Sequence, residues 1–144
     1  MKPAPLFRAA AILLVLFAAG HTFGFLRFVP ATPAGAAVLN GMKTVPLTTA
    51  GPVFTYYGFY VGFGLFVTAY LLFAAFVAWH LAGLARSAPR SVGLLGWGLF
   101  AVQVVCLILS WVWFSGPPAA FSAVVVVLVG LGAYSAQKIS FSPN

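Results

Sequence analysis

The sequence contains no aspartate and no glutamate among its 144 residues. Without carboxylates, this chain cannot perform acid–base catalysis by Asp or Glu, two-carboxylate glycoside hydrolysis, acidic Mg²⁺ or Ca²⁺ ligation, or a carboxylate proton relay. Its single cysteine, Cys106, also excludes an intrachain disulfide and a CxxC redox motif. Few enzyme mechanisms remain, and we expect Cys106 to fill space in an apolar helix.

Charged residues of any kind make up only 5% of the chain, whereas hydrophobic residues make up 63%. A soluble domain with this composition would lack the polar surface that keeps it in water. Several apolar runs reach the length of about 20 residues that a helix needs to cross the hydrocarbon of a bilayer. The seven cations are dispersed along the chain, so they indicate basic helix flanks near lipid headgroups and not a nucleic-acid partner.

These runs predict an all-α fold, a bundle of four transmembrane helices in a single membrane domain, residues 1–144. The helices are expected at about residues 6–29, 53–85, 92–114 and 119–136. A secretory signal peptide is the alternative for the first run, because Ala18-Ala19-Gly20 resembles a cleavage site. The apolar run continues through Phe28, which favours a full span that ends at Pro30.

Residues 30–52 form the longest predicted connection, with four prolines, the turn pair Asn40-Gly41 and several apolar side chains. We expect this segment to lie at the membrane interface or to cover the helix ends, the alternative being a loop that only joins them. Five of the seven cations are expected on the opposite side: Lys2, Arg8, Arg86, Arg90 and Lys138. By the positive-inside rule, both termini are predicted to be cytoplasmic.

The second apolar run opens with an aromatic and glycine-rich stretch from Tyr56 to Gly64. Its tyrosines, Tyr56, Tyr57 and Tyr60, have the amphipathic rings that suit a headgroup region. The GxxxG spacing of its glycines predicts close helix packing, with a shaped groove for a ligand or pigment as the alternative. The glycines that we expect at packing contacts are Gly58, Gly62, Gly64, Gly96 and Gly130.

His21 is the best candidate for a polar site, because it lies beside Thr22 at the expected depth of the tyrosines. Its ring could ligate a haem or chlorophyll metal, or it could bond a backbone carbonyl or a tyrosine. His80 is expected more than about 10 Å away in depth, so the two histidines should not share one haem. Gln103, in the third span, is expected to hydrogen-bond a neighbouring helix.

Two motifs, Gly20-His21-Thr22 and Phe59-Tyr60-Val61-Gly62-Phe63-Gly64, resemble those of a family of uncharacterised small four-helix bacterial membrane proteins, including members from acidobacteria and spirochaetes. The resemblance covers nearly the whole chain and implies a four-helix fold and a multi-pass location in the bacterial inner membrane, without an activity. It also implies an acidic residue just before the second motif, where this chain has Gly58. A histidine–acid pair, and any activity that depends on it, would then be missing here.

Two functional classes follow. The first is a non-catalytic accessory or scaffold subunit that packs on partner helices, lipids or pigments, as a homo-oligomer or in a larger complex. The second is a small membrane enzyme or carrier for an apolar ligand, with a site near His21 and Tyr60. The missing carboxylates favour the first class, and a channel ranks third because no charge marks an ion path.

Overall fold

The computed structural model describes residues 1–48, 53–114 and 116–141, with only the backbone at residues 140 and 141. It is 87% helical, and the described residues form two compact units. Unit 1 comprises residues 1–17 and the described part of 71–144, and unit 2 comprises the described part of 18–70. The first and third helices each contribute to both units.

Five α-helices, one 3₁₀ turn and one short strand pair make up the described residues. In chain order they are α1 Pro3–Leu26, α2 Pro33–Thr44, β1 Pro46–Leu47, β2 Phe54–Thr55, α3 Tyr56–Ser87, the 3₁₀ turn Pro89–Ser91, α4 Gly93–Trp113 and α5 Gly116–Phe141. The helices α1, α3, α4 and α5 are each long and apolar enough to cross a membrane. The prediction of an all-helical chain with four such helices is confirmed.

The helix ends differ from those expected. Helix α1 ends at Leu26 and not near residue 29, because a residue that precedes a proline, as Val29 precedes Pro30, is disfavoured in helical geometry. Helix α5 begins at Gly116, which places Pro117 and Pro118 inside its first turn. A first turn has no intrahelical acceptor for its N–H groups, so prolines fit there without losing a bond.

The connection expected at residues 30–52 contains regular structure. The 12-residue helix α2 starts after Thr32, whose hydroxyl accepts a hydrogen bond from the Gly35 N–H at 3.1 Å, and Pro33 occupies the first turn. Strands β1 and β2 then pair antiparallel, with Pro46 opposite Thr55. Residues 49–52 of this segment, including Gly51 and Pro52, lie outside the described residues.

Unit 1 has a buried core built from large side chains packed against small ones. Its largest fully buried side chains are Phe7, Leu14, Leu81, Val92, Val125 and Val129. The ring of Phe7 lies over Gly132 of α5, where an added Cβ would stand 3.0 Å from ring carbon Cζ. Four polar side chains are buried in this interior: Gln103, Ser110, Ser122 and Ser135. The hydroxyls of Ser110 and Ser122 lie 3.3 Å apart.

Unit 2 has almost no buried core. Among its described residues, Ala18 alone is buried. The strand pair leads directly into α3, where the Thr55 hydroxyl accepts a hydrogen bond from the Gly58 N–H at 3.1 Å and so caps the helix. The Tyr56 N–H bonds the Val45 carbonyl at 3.4 Å, which joins the end of α2 to the start of α3.

Candidate functional site

The polar groups of unit 2 meet where α1 faces α3. The Nε2 atom of His21, on α1, lies 3.1 Å from the carbonyl oxygen of Gly64, on α3. Because a carbonyl only accepts hydrogen bonds, Nε2 is the ring nitrogen that carries the proton in this contact. The same carbonyl accepts a second hydrogen bond, from the Thr68 hydroxyl at 3.1 Å.

A glycine at position 64 allows this close approach. A Cβ added there would lie 2.6 Å from Cε2 of the Phe25 ring and within 2.9 Å of two further ring atoms. Side-chain carbons do not approach so closely without displacement, so the Phe25 ring occupies the space that any other residue would need. The imidazole of His21 in turn lies beside that ring, with a centroid separation of 5.0 Å.

Two threonines extend the polar contact. The Thr22 hydroxyl lies 2.8 Å from the Ala18 carbonyl and 2.8 Å from the Thr68 hydroxyl, which itself lies 3.1 Å from the Gly64 carbonyl. Each hydroxyl has one hydrogen to donate, so two hydrogens serve three contacts. If Thr22 donates to Ala18 and Thr68 donates to Gly64, no hydrogen is left for the contact between the two hydroxyls. If one hydroxyl donates to the other, it gives up its own carbonyl. The pair therefore acts as one coupled unit.

Aromatic rings continue outward from the histidine. The Phe25 ring meets Tyr60 edge to face, with centroids 6.1 Å apart and an interplanar angle of 86°. Tyr60 is followed by Tyr57 at 6.2 Å, and the Nζ atom of Lys43, on α2, lies 5.2 Å above the Tyr57 ring. A cation over an aromatic face is an attractive contact, so it ties α2 to α3.

The structure thus places the predicted site residues as follows. His21, Thr22, Tyr57 and Tyr60 belong to one continuous series of contacts. The Tyr56 side chain is 46% exposed, and its backbone N–H donates a hydrogen bond to the Val45 carbonyl beside the site.

Three participants were missed by the sequence analysis: Phe25, Lys43 and Thr68. A signal for Thr68 was present, since it lies one helical turn after Gly64, where a threonine hydroxyl reaches back to the carbonyl four residues earlier. Phe25 likewise lies one turn after His21 on the same face of α1. Lys43 had no such signal, because its partner lies on another helix.

The glycines expected at packing contacts divide into two groups. Three of them have close neighbours. A Cβ added at Gly64 would meet the Phe25 ring, one added at Gly96 would lie 3.0 Å from a Val92 methyl carbon, and one added at Gly130 would lie 2.8 Å from the Phe100 ring. At Gly58 an added Cβ would meet only ordinary contacts, the nearest at 3.7 Å, and at Gly62 it would meet no described atom within 4 Å. Among the described residues of this chain, close packing in α3 occurs at Gly64, and packing of another helix on the GxxxG pair stays a prediction.

The arrangement around His21 is suited to joining helices. A metal at Nε2 would have to replace the hydrogen bond to Gly64, since that nitrogen cannot donate and ligate together. The described residues contain no group of three His, Cys, Asp or Glu side chains placed to hold a metal. His80 is exposed and lies over Phe76 of the same helix, with a centroid distance of 6.3 Å.

Comparisons with protein-family models, with curated proteins and with solved structures gave no match for this chain.

Proposed function

We propose that this chain is a non-catalytic integral-membrane protein of the bacterial inner membrane, an accessory or scaffold subunit with both termini in the cytoplasm. Four helices of membrane-spanning length and apolarity support the location. The excess of cations at one set of helix ends supports the orientation. Membership of the four-helix bacterial family that the His21 and Tyr60 motifs resemble is part of the same proposal.

The observation that carries the scaffold role is an exposed aromatic ridge on α3 in unit 2, formed by Phe59, Phe63 and Phe66. Their side chains are 47%, 58% and 76% exposed, and the first two rings lie 4.7 Å apart. The residues are separated by four and then three positions, the spacing at which one helix packs along another in a left-handed supercoil. The ridge therefore has the form of one side of a helix–helix interface.

The scarcity of buried residues in unit 2 supports the same conclusion. With Ala18 as its single buried residue among those described, this unit does not cover its own aromatic side chains. Membrane helices associate through close van der Waals packing, best where one partner has small residues. We infer that a partner membrane helix with small residues on its facing side packs on the ridge.

The polar groups of unit 2 fit a structural role. His21 and Thr68 both bond the Gly64 carbonyl, and Thr22 bonds within the same network. Groups that bond one another in this way hold two helices together, and the lone pair for the enzyme or carrier alternative would be the one on Nδ1 of His21. The network joins α3 to α1 at Gly64, which lies between Phe63 and Phe66 of the ridge in the sequence.

The test is purification of the full chain from its native membrane in mild detergent, followed by identification of co-purifying chains and by crosslinking. The triple variant Phe59→Ala/Phe63→Ala/Phe66→Ala is expected to lose the crosslinked partner while keeping its helical circular dichroism. A matched control is Val102→Ala/Val105→Ala/Leu109→Ala, which removes three exposed apolar side chains with spacings of three and four on α4. The control should retain the partner.

Two results would contradict the proposal. Retention of the partner by the ridge variant would show that the ridge is covered by lipid alone. Equal loss in the control would show that the loss is not specific to the ridge. A change in absorbance spectrum or bound small molecules in a His21→Ala variant would instead favour the ligand-binding alternative. Unchanged spectra and unchanged lipid content are expected, since His21 Nε2 already bonds Gly64.

A further inference from the structure

Three cations of unit 1 line one cavity at the start of α1. The cavity has a volume of about 380 Å³ and lies between the start of α1 and the end of α3. Its lining residues include Lys2, Arg8 and Arg86, together with short apolar side chains. Since the whole sequence contains no carboxylate side chain, no acidic residue of this chain can neutralise them. The cavity therefore favours an anion.

A neighbouring cavity shares two of these cations. It also has a volume of about 380 Å³, and Arg8 and Arg86 line it beside His80 and Ser87. The Arg8 guanidinium lies over the ring of Trp79, 5.6 Å from its centroid, which orients the side chain along α3. Planar guanidinium groups with several donors suit the oxygens of a phosphate, which they bond in pairs.

An apolar groove adjoins this basic region through Trp79, which lines both. The groove has a volume of about 360 Å³, and α1 and α3 form its walls. All of its lining side chains are apolar or aromatic: Ala11, Ile12, Val15, Leu16, Leu72, Ala75, Phe76 and Trp79. It thus runs from the two arginines towards the middle of the helices, the direction in which lipid chains extend from their headgroups.

We propose that this combined surface binds an anionic phospholipid, with its phosphate at Arg8 and Arg86 and one acyl chain along the groove. The proposal rests on the membrane insertion proposed above and adds a specific lipid site to it. A free phosphate would use only the cations, and a zwitterionic lipid would bring a cationic group beside them. An anionic phospholipid satisfies the charge and the apolar groove together.

The test is native mass spectrometry of the full chain in detergent, with dioleoyl phosphatidylglycerol or dioleoyl phosphatidylcholine added in separate samples. The wild-type chain should bind phosphatidylglycerol more tightly. The Arg8→Gln/Arg86→Gln variant is expected to lose this preference by about tenfold or more, since each cation near anionic lipid contributes about fivefold. The control Arg27→Gln/Lys43→Gln removes the same charge from unit 2 and should keep the preference.

Two further samples separate the sources of the anion. Inorganic phosphate in excess should leave phosphatidylglycerol bound, and displacement by it would overturn the lipid assignment. Ile12→Trp fills the groove from a position that is 54% exposed, so it should weaken lipid binding severalfold with every arginine in place and with folding preserved. Unchanged binding in that variant, or equal losses in the two charge variants, would refute the site.

These results are distinguishable from failure of the proposed function. Loss of the lipid site alone would leave the chain dependent on detergent and still crosslinked through the aromatic ridge. A chain that remains soluble without detergent would refute membrane insertion itself.

Discussion

Unit 1 and unit 2 each seat a phenylalanine of α1 on a glycine of another helix, but in different surroundings. In unit 1, Phe7 lies over Gly132 and is 0% exposed. In unit 2, Phe25 lies over Gly64 and is only half-buried. The phenylalanine–glycine contact is enclosed by a buried core in unit 1, whereas in unit 2 it lies near exposed aromatic side chains.

The difference indicates how each unit is stabilised. Unit 1 contains nearly all of the buried apolar side chains, so it has the packing contacts that a stable helix assembly needs. Within the chain, unit 2 is held together by hydrogen bonds to backbone carbonyls and by contacts between aromatic rings. The weak coverage of unit 2 fits the proposal that this chain completes its structure on a partner.

The largest expected difference comes from removing the two phenylalanines. Phe7→Ala should destabilise the protein by about 3 kcal/mol, because it leaves a cavity in the core of unit 1. Phe25→Ala should cost only about 1 kcal/mol, because its ring is half exposed and its loss opens space to the surroundings. Unfolding in mixed micelles of increasing dodecyl sulfate content, followed by helical circular dichroism, measures both. Equal losses would show that unit 2 is as firmly packed as unit 1.

The next largest change in unfolding free energy is expected from a comparison of two glycine substitutions in α3. Gly64→Ala should destabilise by about 1–2 kcal/mol, because the new methyl group forces the Phe25 ring to move. Gly62→Ala meets no described atom within 4 Å and should be neutral or stabilising by about 0.5 kcal/mol, since alanine favours helix. The same unfolding titration measures both variants.

A second substitution sharpens this comparison. Phe25→Leu combined with Gly64→Ala should recover part of the loss, because leucine leaves room for the methyl group. If Gly62→Ala proved the more harmful change, the GxxxG face would be the packing face and the contact with Phe25 would not matter.

These glycines also show how much the sequence could predict. Long apolar runs predicted the four long helices, because a spanning helix needs about 20 consecutive apolar residues whatever its neighbours are. Helix α2 was missed, since its 12 residues are only mildly apolar and lie in a proline-rich segment. Its start signal was present in Thr32-Pro33, a capping residue followed by a proline in the first turn.

The sequence predicts several residues of the candidate site, but it does not predict which atoms those residues contact. His21 and Thr22 are predicted because they lie side by side at the expected depth of the tyrosines. A bond to a backbone carbonyl is one of the alternatives for His21, beside a bond to a tyrosine or to a haem or chlorophyll metal. Which carbonyl it reaches depends on the relative register of α1 and α3. No local pattern encodes that register, so the choice of Gly64 over Gly58 or Gly62 required the structure.

Hydroxyl pairs provide a smaller test of the same comparison. Thr22 and Thr68 lie 2.8 Å apart in unit 2, and Ser110 and Ser122 lie 3.3 Å apart in the interior of unit 1. Because the threonines share two hydrogens among three contacts, Thr22→Val and Thr68→Val should be non-additive, with a coupling energy of about 0.6–1.7 kcal/mol. Ser110→Ala and Ser122→Ala should couple less, since their contact is longer. Additive threonine variants would show that the two hydroxyls act independently.

The smallest effect concerns two lysines, each over a tyrosine ring. Lys43 on α2 lies 5.2 Å from the Tyr57 ring on α3, whereas Lys138 lies 5.0 Å from the Tyr134 ring of its own helix. Lys43→Gln should weaken the attachment of α2 by about 0.5 kcal/mol, because an exposed cation–π contact is worth about that amount. Hydrogen exchange of the α2 amides should then quicken about twofold, while Lys138→Gln leaves those amides unchanged. Exchange that is unaffected by Lys43→Gln would mean that α2 is held by its own packing and by the Val45 carbonyl, and unit 2 would then owe less to its side-chain contacts than the comparison with unit 1 implies.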